Sequence, residues 1–155
     1  MQEKYMKYAL QLAYQNVQNL NGGPFAAVIV KDNQIVGEGT NVVTTANDPT
    51  AHAEISAIRD ACKNLNTYQL TDCEIYTSCE PCPMCLGAIY WARPKAVYYF
   101  NTRKEAAKIG FDDQYIYDQL ALSIDERSLQ MHKIDLDSEQ LPFPLWETIL
   151  EKVEY

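Results

Sequence analysis

The sequence predicts an α/β protein with three layers, in which helices cover both faces of one mixed five-stranded sheet. Two observations carry this expectation. Short apolar runs rich in β-branched residues alternate along the chain with segments whose apolar residues recur every three or four positions, and that alternation places strands between helices. The chain of 155 residues, 47% of them hydrophobic, also has the ordinary size of one globular domain with a substantial core, so a single domain over 1–155 is expected.

The elements follow in order. Tyr5, Ala9, Leu12, Ala13, Val17 and Leu20 form a stripe at helical spacing, and Asn21-Gly22-Gly23-Pro24 stops it, which predicts a first amphipathic helix over 5–20. Residues 25–30 form an apolar run, 31–34 are polar turn material, and Ile35 and Val36 begin a second strand, so a hairpin is expected. Residues 41–50 read as a polar loop closing on Asp48-Pro49-Thr50. Ala53, Ile55, Ala57, Ile58, Ala61 and Leu65 then give a second helical stripe, with His52 and Glu54 in its first turn. A third strand over 74–77 runs into Cys79 to Pro83 and a third helix through Trp91, which Arg93-Pro94 ends because proline disfavours helical geometry in the residue before it. A fourth strand over 96–100, helical turns over 104–108 and 114–120, a fifth strand over 132–136 and a last helix opened by Pro142-Phe143-Pro144 complete the pattern.

His52, Glu54, Cys82 and Cys85 carry the chemistry. His52-Ala53-Glu54 precedes Pro81-Cys82-Pro83-Met84-Cys85, and together they offer one imidazole, two thiolates and a separate carboxylate. Three zinc ligands leave the fourth tetrahedral position open for a water, whose pKa the metal lowers towards neutrality, and Glu54 is then available to move its proton. Two thiolates and a neutral imidazole already balance the charge of zinc, so a fourth anionic ligand is unnecessary. Cys82 and Cys85, three apart with Pro83 between them, suit a first helical turn, where the positive end of the helix stabilises thiolates. Glu54 is only two residues from His52, so the two side chains converge only if the helix start departs from regular geometry.

A closed structural site competes with this reading. Cys79 is also spaced to join Cys82, Cys85 and His52, and three cysteines with one histidine form a familiar tetrahedral set. Against it, Cys79 follows a strand and precedes Pro81, outside the turn that aligns the other two, and a closed site gives Glu54 no task. A non-catalytic interaction domain stabilised by zinc is the corresponding non-enzyme reading. Cys62 and Cys73 read as core or near-surface thiols.

Composition narrows the partners. The chain has 13 Lys and Arg against 21 Asp and Glu, a net charge of −8, and an isoelectric point near 4.7. No Lys/Arg cluster offers the basic track that long nucleic acids require, so a small neutral substrate is expected. No apolar stretch approaches membrane-spanning length, and the residues around Glu3, Lys4 and Lys7 interrupt any secretory h-region, which predicts a cytoplasmic protein. Five cysteines, three of them clustered, fit metal chemistry better than a disulfide framework.

The His-x-Glu and Pro-Cys-x-x-Cys pair resembles the zinc-dependent cytidine/deoxycytidylate deaminase superfamily, the pattern given for zinc deaminases generally. Gly23-Pro24-Phe25, the run from Asn47 to Glu54, the run from Tyr76 to Cys82, the run from Gly87 to Val97, Gly110-Phe111-Asp112-Asp113 and the terminal Glu154-Tyr155 are similar to bacterial guanine deaminases within it. The resemblance implies a cytidine deaminase-like fold, one zinc ion per subunit on His52, Cys82 and Cys85, and conversion of guanine to xanthine and ammonia with Glu54 as proton shuttle. It further implies that Asn41 binds the purine edge and that Asp113 assists proton transfer, with Asp112 as its neighbour and alternative. Phe25 and Trp91 become apolar or stacking walls. A homodimer is implied as well, with C-terminal segments exchanged between subunits so that Tyr155 closes over the substrate. The same superfamily contains cytosine, nucleoside and tRNA adenosine deaminases, and these are the rival activities.

Overall fold

The computed structural model describes residues 2–155. Its elements are α1 (Gln2–Gln18), β1 (Ala26–Lys31), β2 (Gln34–Thr40), α2 (Val43–Ala46), α3 (Ala53–Leu65), β3 (Glu74–Cys79), α4 (Pro83–Ala92), β4 (Ala96–Asn101), α5 (Arg103–Lys108), α6 (Gln114–Ala121), a 3₁₀ turn (Ile124–Glu126) and α7 (Pro142–Thr148). The chain divides into two compact units, one ending at Tyr117 and the other spanning Asp118–Tyr155.

The first unit holds the sheet, in the order β2-β1-β3-β4. β1 runs antiparallel to both β2 and β3, whereas β3 and β4 are parallel. The β1–β2 hairpin turns on Asp32 and Asn33, both at positive φ (49° and 64°), the geometry that matches the right-handed twist of the flanking strands and that Asp and Asn tolerate. Strand residues alternate between two cores. Val28, Val30 and Tyr76 meet Tyr5 and Ala9 of α1 on one face, while Ala27, Ile29 and Ile75 meet Ala53, Ala57 and Ala61 of α3 and Ile89 and Ala92 of α4 on the other. The expected layering of helices on both sides of a mixed sheet is therefore present.

Alanines on α3 and glycines on β2 bring these two elements unusually close. A Cβ at Gly39 would lie 2.3 Å from both the Ala53 carbonyl oxygen and the Ala57 nitrogen, so only glycine lets the start of α3 rest on the sheet at that depth. This contact sets the height at which His52 and Glu54 emerge.

Three expectations need correction. The sheet has four strands among the described residues, not five. Residues 132–136 form no strand and are exposed throughout, with Ile134 83% and Leu136 79% accessible. Their alternating pattern is that of a strand, but no ladder partner is supplied to them, and a strand does not exist without one. The stripe on α1 is also displaced. Its buried residues are Tyr5, Ala9, Ala13 and Asn16, whereas Val17 and Leu20 are 44% and 86% exposed, because the 3.6-residue period carries the buried line through position 16 and the helix ends at Gln18. Finally, the loop over 41–50 contains the short helix α2, closed by Asn47 in the left-handed conformation, whose N–H bonds to the Val43 carbonyl.

Candidate metal centre and active site

Two helix starts build the centre. His52 is the N-cap of α3 and has extended backbone (φ −71°, ψ 159°), while Glu54 lies inside the first turn. The i, i+2 objection therefore does not apply, because His52 stands outside the helix and its side chain is free to turn to the same side as that of Glu54. Asp48 prepares this arrangement: its carboxylate accepts hydrogen bonds from the Thr50 N–H (2.8 Å) and the Thr50 hydroxyl (2.7 Å), closing the turn that leads into Ala51 and His52. Cys82 is the N-cap of α4, again extended (φ −67°, ψ 168°), with Pro83 at the first helical position. Its sulfur accepts from the Cys85 N–H at 3.5 Å, as a capping oxygen would.

The donor atoms of His52, Cys82 and Cys85 all lie within 4.8 Å of one another. His52 Nδ1 is 3.5 Å from Cys82 Sγ and 3.6 Å from Cys85 Sγ. Tetrahedral angles with ordinary Zn–S and Zn–N bond lengths place such atoms about 3.6 Å apart, so the trio fits a zinc ion in both donor type and spacing. Hydrogen bonding between the two thiols lowers that of Cys82 well below the usual range and raises that of Cys85. A cation between them would satisfy both sulfurs. Cys79 stands apart from the trio. It is buried, its Sγ donates to the Thr102 carbonyl at 3.7 Å, and burial raises its thiol to about 11. The closed four-ligand arrangement is therefore not formed.

Glu54 is only 6% exposed. Burial raises its carboxyl above the usual range, opposed by hydrogen bonds from its own backbone N–H and from the Thr77 hydroxyl, which donates to Oε1 at 3.0 Å. His52 and Glu54 line a cavity of about 480 Å³ with Cys79, Glu80 and Cys82, a volume within the range of small-ligand sites. Asn41, Phe25 and Asp113 line the same cavity. Phe25 meets Phe111 edge to face, with centroids 4.8 Å apart, to form an aromatic corner. Asp113 is half-buried, and burial followed by the nearby Cys82 sulfur raises its carboxyl. Asp112, by contrast, spends its carboxylate on the Gln114 N–H at the start of α6 (2.9 Å) and does not line this cavity.

Of the residues singled out in the sequence, His52, Glu54, Cys82, Asn41, Phe25 and Asp113 thus meet at one cavity, and Cys85 joins its two co-ligands. Trp91 does not line it. It sits in the last turn of α4 and is 63% exposed, because α4 turns Ile89 and Ala92 towards the core instead. Tyr155 belongs to the second unit and is 70% exposed. Sequence reasoning missed Thr77, Phe111 and Asn16. A threonine in an otherwise apolar central strand and a lone amide on the buried line of α1 were the available signals.

The sequence matches the family described as the cytidine and deoxycytidylate deaminase zinc-binding region over residues 1–101. The chain is 54% identical to a guanine deaminase of Bacillus subtilis over 99% of its own length and 98% of that protein, and the crystal structure of that enzyme superposes with a TM-score of 0.95. It is 42% identical to a tRNA-specific adenosine deaminase of Haemophilus influenzae, over 72% of this chain and 67% of the relative. A further structure, of a protein in complex with 8-azaguanine, is 36% identical with a TM-score of 0.67, covering 70% of this chain and 63% of the other. With a family match spanning the sheet, both helix starts and all three donor residues, the chain belongs to the cytidine and deoxycytidylate deaminase family of zinc-binding proteins.

Proposed function

We propose that this chain is a zinc-dependent guanine deaminase, converting guanine and water to xanthine and ammonia. The observation that carries this reading is one cavity that unites a three-donor metal centre with a buried carboxyl, an amide and an aromatic corner. The near full-length identity to the Bacillus subtilis enzyme selects guanine among the family's substrates.

His52, Cys82 and Cys85 hold the ion. Zinc bound there supplies Lewis acidity that brings a water towards ionisation at neutral pH. Glu54 would take one proton from the attacking water and deliver it to a ring nitrogen, then carry the remaining hydroxyl proton to the exocyclic amine, so that a C–O bond forms, the exocyclic C–N bond breaks and ammonia leaves. Thr77 holds the Glu54 carboxylate from behind. Asn41 Oδ1 receives only a long bond from the Val43 N–H (3.4 Å), so its amide is available to hydrogen-bond the purine edge. The Phe25–Phe111 corner flanks the ring, and Asp113 meets the amine. A cytoplasmic homodimer with exchanged C-terminal segments, in which Tyr155 closes the site, is part of the same reading. Removal of residues 153–155 tests that lid, and unchanged kinetics would exclude it.

Zinc-loaded protein incubated separately with guanine, cytosine, adenosine and a tRNA anticodon stem, with ammonia release followed, decides the substrate. Ammonia is expected from guanine. Release from cytosine or from the RNA, without release from guanine, would overturn the reading. The net charge of −8 already weighs against the RNA.

A further inference from the structure

Asn16 is 3% exposed and is the one polar residue among the buried positions of α1. An apolar side chain would satisfy that face of the helix without a buried amide to accommodate. Its Nδ2 instead donates two hydrogen bonds, to the carbonyl of Gly23 at 2.9 Å and to the carbonyl of Asn41 at 2.8 Å. Both acceptors belong to residues that line the cavity, although Asn16 itself does not. Asn41 is held from the other side as well, since its N–H donates to the Phe25 carbonyl at 3.0 Å. Gly22 completes the enclosure: a Cβ there would lie 2.1 Å from the Asn41 carbonyl oxygen, so the turn after α1 presses its bare backbone against the same peptide. The Asn41 carbonyl is thereby fixed by a donor and packed closely against the Gly22 backbone. With N–H and C=O both pinned, the direction in which the Asn41 side chain leaves the backbone is set.

We propose that Asn16 is a positioning residue for ligand recognition: it acts through Asn41, aiming that amide into the cavity and tying the Gly22-Gly23 turn to the same wall. The inference rests on the reading of Asn41 as the purine contact. It makes a remote helix residue a determinant of affinity for the base, while leaving the metal donors and Glu54 untouched.

The test measures zinc content, melting temperature, 8-azaguanine affinity by calorimetry, and kcat and KM for guanine. Asn16→Leu keeps the branching and the number of side-chain heavy atoms and removes both donors. The expected result is one zinc per chain, a Kd for 8-azaguanine raised at least tenfold, a parallel rise in KM, and kcat within threefold of the unaltered protein. In an Asn41→Ala background the same substitution should change Kd by less than twofold, because there is no longer a side chain to aim. If Asn16→Leu does not fold, Asn16→Ser, which is smaller and retains one donor, carries the same measurements with a Kd raised at least threefold. A lowered melting temperature with Kd and KM within twofold would overturn the inference and reduce Asn16 to a structural residue. An equal penalty in the Asn41→Ala background would overturn it too. Failure of the unaltered protein to bind 8-azaguanine would overturn the purine reading, and this inference with it.

Discussion

Replacing Thr77 by valine isolates the hydrogen bond behind the proposed base. Valine reproduces the shape of threonine, and the site is 1% exposed, so the change removes a hydroxyl with little change in packing volume. What disappears is the 3.0 Å bond to Glu54 Oε1. A hydrogen bond to a charged group contributes about 1.5–3 kcal/mol, and about 1.4 kcal/mol corresponds to a factor of ten in rate. If the carboxylate must be held in place during proton transfer, kcat for guanine should fall roughly 10- to 150-fold on this arithmetic, with KM little changed. Stability should also decline, because an oxygen of a buried carboxyl loses its donor, and a loss of each kcal/mol lowers Tm by about 2–4 °C in a chain of this size. Thr77→Ser restores the hydroxyl and should recover most of kcat. The assay is steady-state kinetics on protein of verified zinc content. A kcat within twofold of the unaltered enzyme, with zinc retained, would refute the role of Thr77, and so would a rise in KM alone.

Glu54→Gln keeps the shape of the side chain but removes the base, so zinc should remain at one per chain while turnover falls by about 10²-fold or more; loss of zinc would instead make Glu54 a ligand. Cys85→Ser should abolish stoichiometric zinc, measured by atomic absorption, whereas Cys79→Ser should retain it, since the Cys79 sulfur lies outside the donor trio. Gly39→Ala forces a methyl to within 2.3 Å of α3 backbone and should cost about 1–3 kcal/mol, read as a lowered Tm accompanied by weaker zinc retention in a chelator titration, because the helix that moves carries His52 at its cap.

Much of the fold was legible because its elements state their periods plainly. β1 is apolar from Ala26 to Val30 because both its faces are covered there, and α3 shows an unbroken alanine line where it meets β2. The fifth strand was a misreading of a different kind. Alternation in 132–136 reports a preference for extended backbone, whereas a strand is defined by its neighbour, and no local pattern encodes whether a neighbour is present. The stripe on α1 failed for a subtler reason: hydropathy assigned the polar Asn16 to water and the apolar Val17 and Leu20 to the core, and the structure reverses both. At the metal centre the ligands were legible from residue type and spacing alone. Their convergence was not, because it depends on His52 and Cys82 both standing at N-caps, where extended backbone frees the side chain from the helical direction.

That shared N-cap placement joins the metal chemistry to the folding of the two helices. An N-cap side chain ordinarily satisfies an orphan amide of the first turn, and Cys82 does so through its sulfur. His52 makes no such bond from its side chain; its imidazole is turned instead towards the two sulfurs, and its carbonyl accepts from the Ser56 N–H at 3.0 Å to start α3. The start of α3 thus gives up side-chain capping, a feature typically contributing about 1 kcal/mol, in exchange for a ligand that is held by the backbone on both sides. The compensation lies in the packing of Ala53 and Ala57 beneath Gly39, which fixes the same turn from below. With two of the three donors at helix N-caps and the third in the first turn of α4, the centre keeps one side open to the cavity that Glu54 and Asn41 line.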